Sequence, residues 1–243
     1  MHRFFVPIDI LKNDPIVFPP DMAKQMGTVL HLKIGERVAL LDNLGNEFEV
    51  ELVTIGSKVA LGKVVATRSA LPEPDPQVTL YLALTQREKF EWALQKCTEV
   101  GAGAIMPVIT GRSLIQNAAE AHAKYPRWQK ILQEAAEQSN RGRIPPLLEP
   151  LRFGQALAHA RQNVQLSLIP WEMEGTTTLK QALAKQPAPA TIGVFIGPEG
   201  GFSSAEIDLA CQVGAIPVTL GPRILRMETA AVVAVSLILY QFS

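Results

Sequence analysis

The chain reads as an α/β protein, a parallel sheet covered by helices and preceded by a small β-barrel domain. Three observations predict it. From Val78 onward, runs rich in Val, Ile and Leu alternate with amphipathic helical stretches, the pattern of a parallel sheet buried on both faces. Residues 1–72 instead hold short β-type runs parted by turn signals, as small barrels do. Between the two lies Leu71–Gln77 (LPEPDPQ), with three prolines. Proline removes a backbone donor and holds its predecessor extended, so this is a stiff linker. The predicted domains are therefore 1–72 and 73–243.

In the first domain, strands are expected at Phe4–Val6, Arg37–Leu41, Glu47–Val53 and Lys58–Ala66. Turns are expected at Lys33–Glu36, Asp42–Asn46 and Ile55–Ser57, and a helix from Pro20 to Leu30. Asp42-Asn43-Leu44-Gly45-Asn46 is a hairpin loop by composition. In the second domain the strands are Val78–Ala83, Ala104–Val108, Val164–Ile169, Thr191–Ile196 and Pro217–Leu220. The helices are Lys89–Val100, Arg127–Ser139, Leu179–Lys185, Ser204–Val213 and Thr229–Phe242, and Pro187–Ala190 is a loop.

Composition narrows the class. Of 243 residues, 47% are apolar and 19% charged, enough for a substantial core. Lys plus Arg and Asp plus Glu both number 23, which argues against indiscriminate nucleic-acid binding. Ten basic against seven acidic residues between Arg87 and Arg152 leave a mild local excess. Cys97 and Cys211 have no metal-type spacing and no zinc site assembles from the four histidines. The opening MHRFFVPIDI lacks a signal-peptide core, and the longest apolar run, Ala230–Tyr240, is too short to span a bilayer. A reduced cytoplasmic protein is the expectation.

Chemistry concentrates after two late strands. Gly197-Pro198-Glu199-Gly200-Gly201 follows one of them, and its glycines let backbone approach a ligand. Ser203 with Glu206 is a capping-box pair that opens the next helix. A strand-to-helix turn that needs glycine only for its dihedrals explains this segment equally well. Arg223, Arg226 and Glu228 crowd a short segment between Gly221-Pro222 and Thr229, a candidate N-cap. Charges packed there need partners or a ligand, and an internal Arg–Glu pair would also serve. Gln138, Arg141 and Arg143 could hold phosphate or base, although a solvated helix end accounts for them too. Lys96 with Glu99 reads as a structural pair, and Trp92 and Trp128 as core or half-buried aromatics. No phosphate loop, dinucleotide-type GxGxxG or GxSxG elbow occurs.

Together, IGPEGGFSSAEI (Ile196–Ile207) and LGPRILRMETA (Leu220–Ala230) resemble the signature of the bacterial 16S rRNA uracil-N3 methyltransferases, the RsmE family of the SPOUT superfamily. Further matches run through the chain: Arg3-Phe4-Phe5, His31 with Gly35, Gln95–Gly101, Ile105–Pro107, Arg112-Ser113, Trp128, and Glu134–Ser139 with Arg141. Val100 and Gln86-Arg87 depart from the family pattern. The resemblance implies a PUA-like barrel that helps hold RNA, and a SPOUT sheet whose C-terminal segments thread a trefoil knot, against the usual rule for chains. It further implies S-adenosylmethionine as cofactor, a homodimer, and one uridine of 16S rRNA in the small ribosomal subunit as substrate.

On that resemblance, Leu168, Ile196, Leu220, Ile224 and Leu225 are expected to wall the adenine. Backbone around Gly197, Gly201, Leu225 and Met227 would bond its edge. Pro170 to Glu172 would line the other side, as the loop after a strand, and Ile169, Pro198, Glu199, Gly200 and Gly221 would complete the cofactor set. Glu199 and Glu228 are candidate bases for the uracil N3 proton, and Arg226 a candidate stabiliser of the resulting charge. Arg3, His31, Arg112, Gln138, Arg141 and Arg143 are the expected RNA contacts. A ribose 2′-hydroxyl methyltransferase and a non-catalytic RNA-binding factor are the two rival readings.

Overall fold

The computed structural model describes the chain except Ser57, Gln186, Pro187 and Ser243. Ser57 of the expected turn and Pro187 of the expected loop thus lie outside the described residues. Packing divides the chain into two compact units, residues 1–73 with 136–144, and residues 74–135 with 145–243.

The first unit is built on a five-stranded sheet. Its strands are β1 (His2–Phe5), β2 (Ile16–Val17), β3 (Arg37–Leu41), β4 (Asn46–Ile55) and β5 (Ala60–Ser69), in the order β1-β3-β4-β5-β2. Only β1 and β3 run parallel; the other pairs are antiparallel. Helix α1 (Pro20–Lys24) continues as one wide turn over Gln25–Val29. Phe4, Ile16, Phe18, Met26, Leu40 and Leu52 close the core. The β3–β4 hairpin forms as its composition requires. Asp42 Oδ1 accepts the backbone N–H of Leu44 (2.7 Å) and of Asn46 (3.0 Å), while Asn43 and Gly45 take positive φ.

The segment 136–144 belongs to this unit, although sequence placed it in the other domain. The reason is a set of local bonds. Glu137 Oε1 accepts the Phe5 N–H at 3.0 Å, Asn43 Oδ1 accepts the Ile144 N–H at 2.7 Å, Arg143 Nη2 donates to the Leu44 carbonyl at 2.7 Å, and Arg141 pairs with Glu73. Glu47, with its side chain only 4% exposed, is held between Arg3 (2.7 Å) and Arg68. Burial pushes the Glu47 carboxyl up, but hydrogen bonds and charge from Arg68 and Arg3 outweigh it and keep it below the ordinary value of 4.5. A lowered carboxylate adds stability above its unfolded value and loses it as pH falls toward the folded one. The urea midpoint of the first unit is therefore expected to drop as pH falls below about 4.5. Glu47→Gln should flatten that drop, and an unchanged slope would remove Glu47 from the account.

The second unit is the α/β layer. Its sheet is wholly parallel, in the order β11-β9-β10-β6-β7-β8. The strands are β6 (Gln77–Ala83), β7 (Ala104–Ile109), β8 (Leu151–Arg152), β9 (Leu166–Pro170), β10 (Thr191–Ile196) and β11 (Ile216–Val218). Around it lie α2 (Arg87–Val100), α3 (Ala118–His122), α4 (Tyr125–Gln138), α5 (Phe153–Asn163), α6 (Leu179–Ala184), α7 (Ser204–Gln212) and α8 (Met227–Phe242). Helix α4 crosses the division between the units in sequence. The predicted α/β class with a parallel sheet holds. No helix among the described residues is long and apolar enough to cross a membrane.

Tyr81 on β6 stacks on Phe195 of β10 with ring centroids 4.2 Å apart, and its hydroxyl meets His159 Nδ1 at 2.9 Å. Gly193 makes room for this pair, since a Cβ there would sit 2.9 Å from the Tyr81 ring. Phe195→Ala is expected to cost about 3–5 kcal/mol through lost transfer energy and a cavity. Equilibrium denaturation would measure it, and a loss below about 1 kcal/mol would show that the stack does not anchor this core.

Candidate functional site

Because β11, β9 and β10 are adjacent and parallel, their three following loops emerge together at the carboxyl edge of the sheet, where open α/β folds bind ligands. They enclose a cavity of about 680 Å³. The loop after β9 brings Pro170, Trp171 and Glu172. The loop after β10 brings Gly197 to Phe202, and the segment after β11 brings Thr219 to Arg226.

The β10 loop is a tight turn. The Gly201 N–H donates to the Pro198 carbonyl at 2.9 Å, and Gly201 takes φ +66. A Cβ on Gly201 would fall on the Glu172 carboxylate, and one on Gly197 would lie 3.1 Å from the Phe202 ring. Phe202 is buried and packs against Phe153 at 5.2 Å, which ties the loop to the core. Ser203 Oγ accepts the Glu206 N–H (3.3 Å), and Glu206 Oε2 accepts the Ser203 N–H (2.8 Å), the predicted capping box.

The third segment is pinned at Thr219, whose N–H donates to the Thr177 carbonyl at 2.8 Å and whose Oγ1 accepts the Gly221 N–H at 3.2 Å. Helix α8 begins at Met227 and not at a Thr229 cap. The Arg226 carbonyl already accepts the Ala230 N–H at 2.8 Å, and Met227 is buried, so the first turn forms two residues early. Glu228 consequently stands in that first turn, facing the cavity.

Two features mark the cavity as built for a polar ligand. Among the described residues, the backbone N–H groups of Gly197, Glu199, Gly200, Leu225 and Arg226 find no acceptor in the chain. Glu228 Oε2 is buried without a hydrogen-bond partner. The buried oxygen of Glu228 is the costly one, because burial keeps water from replacing its missing partner, whereas the N–H groups lie on exposed or half-buried residues and stay open to a ligand. The second candidate base is different, since Glu199 accepts from Lys89 at 3.1 Å. Arg223 and Arg226 are exposed on the rim.

Every expected cofactor residue lines the cavity except Leu168 and Ile169. Both are fully buried in β9, and Ile169 packs in the core with Tyr81 and Phe195. The three catalytic candidates Arg226, Glu199 and Glu228 all line it. Lys89, Phe202, Thr219, Pro222 and Ala230 line it as well and were not anticipated. Lys89 left no sequence signal, because it arrives from α2. Of the expected RNA contacts, Arg3 has a side chain 10% exposed and committed to Glu47, and Arg141 is buried against Glu73. His31, Gln138 and Arg143 are exposed. Arg112 lies in the second unit and donates to the Gly200 carbonyl. Lys96 and Glu99 form the structural pair expected of them, at 2.7 Å.

The comparisons with known proteins agree on one family. A family model described as an RNA methyltransferase domain matches residues 72–239. A Synechocystis protein named ribosomal RNA small subunit methyltransferase E is 38% identical over 209 residues, covering 86% of this chain and 67% of that protein. A Bacillus subtilis protein of the same name is 31% identical, covering 88% of this chain and 85% of its own length. Among solved structures, a Neisseria gonorrhoeae protein of that name bound to S-adenosyl methionine superposes with a TM-score of 0.85 at 28% identity, over 99% of this chain and 98% of that one. A Legionella pneumophila protein in complex with the bound cofactor SAM gives a TM-score of 0.88 at 30% identity, over 99% and 98%.

Proposed function

The chain belongs to the RNA methyltransferase family, alongside the ribosomal RNA small subunit methyltransferase E proteins, and we propose that it uses S-adenosylmethionine to methylate N3 of one uridine in 16S rRNA. The observation that carries the reading is the cavity itself, three loops of which two, after β10 and β11, present open backbone donors, beside one unpartnered buried carboxylate oxygen.

The residues fit the cofactor. Apolar walls from Ile196, Phe202 and Leu225 suit a flat heterocycle, and the open N–H groups suit its polar edge. Gly197 and Gly201 let the loop close on the Phe202 ring and the Glu172 carboxylate, where a Cβ would collide, and so set the shape of the cavity wall. Rim cations Arg223 and Arg226 suit a carboxylate, and Glu172 suits an ammonium or hydroxyls. When bound, S-adenosylmethionine supplies an activated methyl group, so the protein's task is mainly orientation and proton removal. Uracil N3–H is a weak acid. The Glu228 carboxylate, whose buried Oε2 has no partner, accepts that proton, and the Arg226 guanidinium offsets the charge developing on the flanking carbonyl oxygens. Lys89 occupies Glu199, which therefore braces the loop. N3 lies on the pairing edge, so the target base must be unpaired or flipped.

The finer architecture belongs to the same proposal. The first unit serves as a PUA-like RNA-holding barrel, the segments after β10 and β11 form a trefoil knot, and the enzyme works in the cytoplasm as a homodimer. Leu237 and Tyr240, one helical turn apart on α8 and 45% and 80% exposed, supply an apolar face for the dimer. Leu237→Asp is expected to shift the protein toward monomer in sedimentation velocity, and an unaltered profile would move the interface elsewhere.

The decisive experiment is methyl transfer to small subunits from cells lacking the protein, followed by mass spectrometry of the digested RNA. N3-methyluridine at one position is the expected product. A ribose 2′-O-methyl group, or no methyl with binding intact, would replace this reading by one of its rivals.

A further inference from the structure

Strands β10 and β7 flank β6 in the sheet, so the loops that follow them meet across its carboxyl end. Two bonds join those loops. Arg112 donates from Nη1 to the Gly200 carbonyl, and the Gly111 N–H donates to Glu206 Oε1 at 2.9 Å. The aliphatic stem of Arg112 also lies along Gly200, where a Cβ would stand 3.2 Å from Arg112 Cδ. Arg112 was expected to reach RNA, but its guanidinium is directed at the protein's own glycine turn.

We propose that Arg112 is a positioning residue for the cofactor, which fixes the peptide between Gly200 and Gly201 and, through it, the adjoining turn that carries the open N–H groups of Glu199 and Gly200. The inference rests on reading the cavity as the S-adenosylmethionine site. That peptide is held on both sides, its carbonyl by Arg112 and its Gly201 N–H by the Pro198 carbonyl at 2.9 Å, so its plane is fixed and the turn before it has less freedom to flip. The second bond, through Glu206, fixes the far end of the same loop at the start of α7.

The test uses the full-length protein and two variants, Arg112→Ala and Arg112→Lys, each checked for folding by thermal melting. Calorimetric titration with S-adenosylmethionine should show about tenfold or greater weakening in Arg112→Ala, as a charge-assisted hydrogen bond implies, with part restored by lysine. Amide exchange of residues 197–203 in the ligand-free protein should quicken in Arg112→Ala. The salt dependence of binding to purified 16S rRNA should keep its slope, because no phosphate contact is removed. Unchanged exchange together with unchanged cofactor affinity would overturn the inference, as would a salt slope reduced by about one with cofactor affinity intact. Wild-type protein that fails to bind S-adenosylmethionine, with exchange still quickened in the variant, would instead overturn the cofactor reading and leave Arg112 as the loop's clamp.

Discussion

Replacing Glu228 with glutamine is expected to lower the rate of methyl transfer by roughly 10²–10⁴, the range for removing a general base, while S-adenosylmethionine affinity stays within about twofold. Of the three carboxylates that line the cavity, Glu199 and Glu228 are the candidate bases, and their surroundings differ. Glu199 accepts from Lys89 at 3.1 Å through Oε1, so its charge is paired and its loss removes a brace. Glu228 has a buried oxygen with nothing to bond, and a glutamine of equal size would keep its packing but not its basicity. Glu199→Gln should therefore cost less than about tenfold in rate. Single-turnover kinetics with saturating cofactor separates the two. The assignment fails if Glu199→Gln is the crippling change and Glu228→Gln is silent. Arg226→Ala belongs in the same series, with turnover lost and cofactor binding kept as its expected result.

The second large effect concerns backbone. Gly201→Ala should weaken cofactor binding by about 10–100-fold. Gly201 sits at φ +66, where an L side chain costs about 1–2 kcal/mol. Its new Cβ would also fall on the Glu172 carboxylate, forcing that side chain or the loop to move. Adding Glu172→Ala removes the collision and leaves the dihedral cost, so the double variant should recover only part of the affinity. Calorimetry on the three proteins decides. Full recovery in the double variant would show that the φ requirement is unimportant, and no loss in Gly201→Ala would show that the turn does not shape the site.

The sequence made the parallel sheet legible because Val- and Ile-rich runs such as Thr191–Ile196 are buried on both faces, a pattern that composition alone displays. The cavity was legible for a related reason, since glycine and proline mark where strands stop. What escaped notice had weaker local signals. Helix α5 (FGQALAHARQN) opens with Phe and Gly at its first two positions and carries a thin apolar stripe, and its pattern stood out only once Phe153, Ala156, Leu157 and Ala160 met the sheet. Lys89 reaches the site across 110 positions of sequence, a distance no local motif encodes. Arg3 and Arg141 looked like RNA ligands because arginine is the usual choice, yet both serve as buried counterions to Glu47 and Glu73. Leu168 and Ile169 lie two residues and one residue inside the end of β9, on opposite faces of a strand that is covered on both, so each is buried in the core.

One further result follows from where α8 begins. The 16-residue helix that presents Glu228 in its first turn is held by Ala234, Val235 and Ile238, none of which is exposed. Ile238 lies about 15 Å along the axis from that carboxylate, at 1.5 Å per residue. Trimming so distant an anchor would loosen the lever on which the proton acceptor is mounted. Thermal tolerance and reaction speed in this protein should then decline side by side, as twin readings of the grip on a single rod.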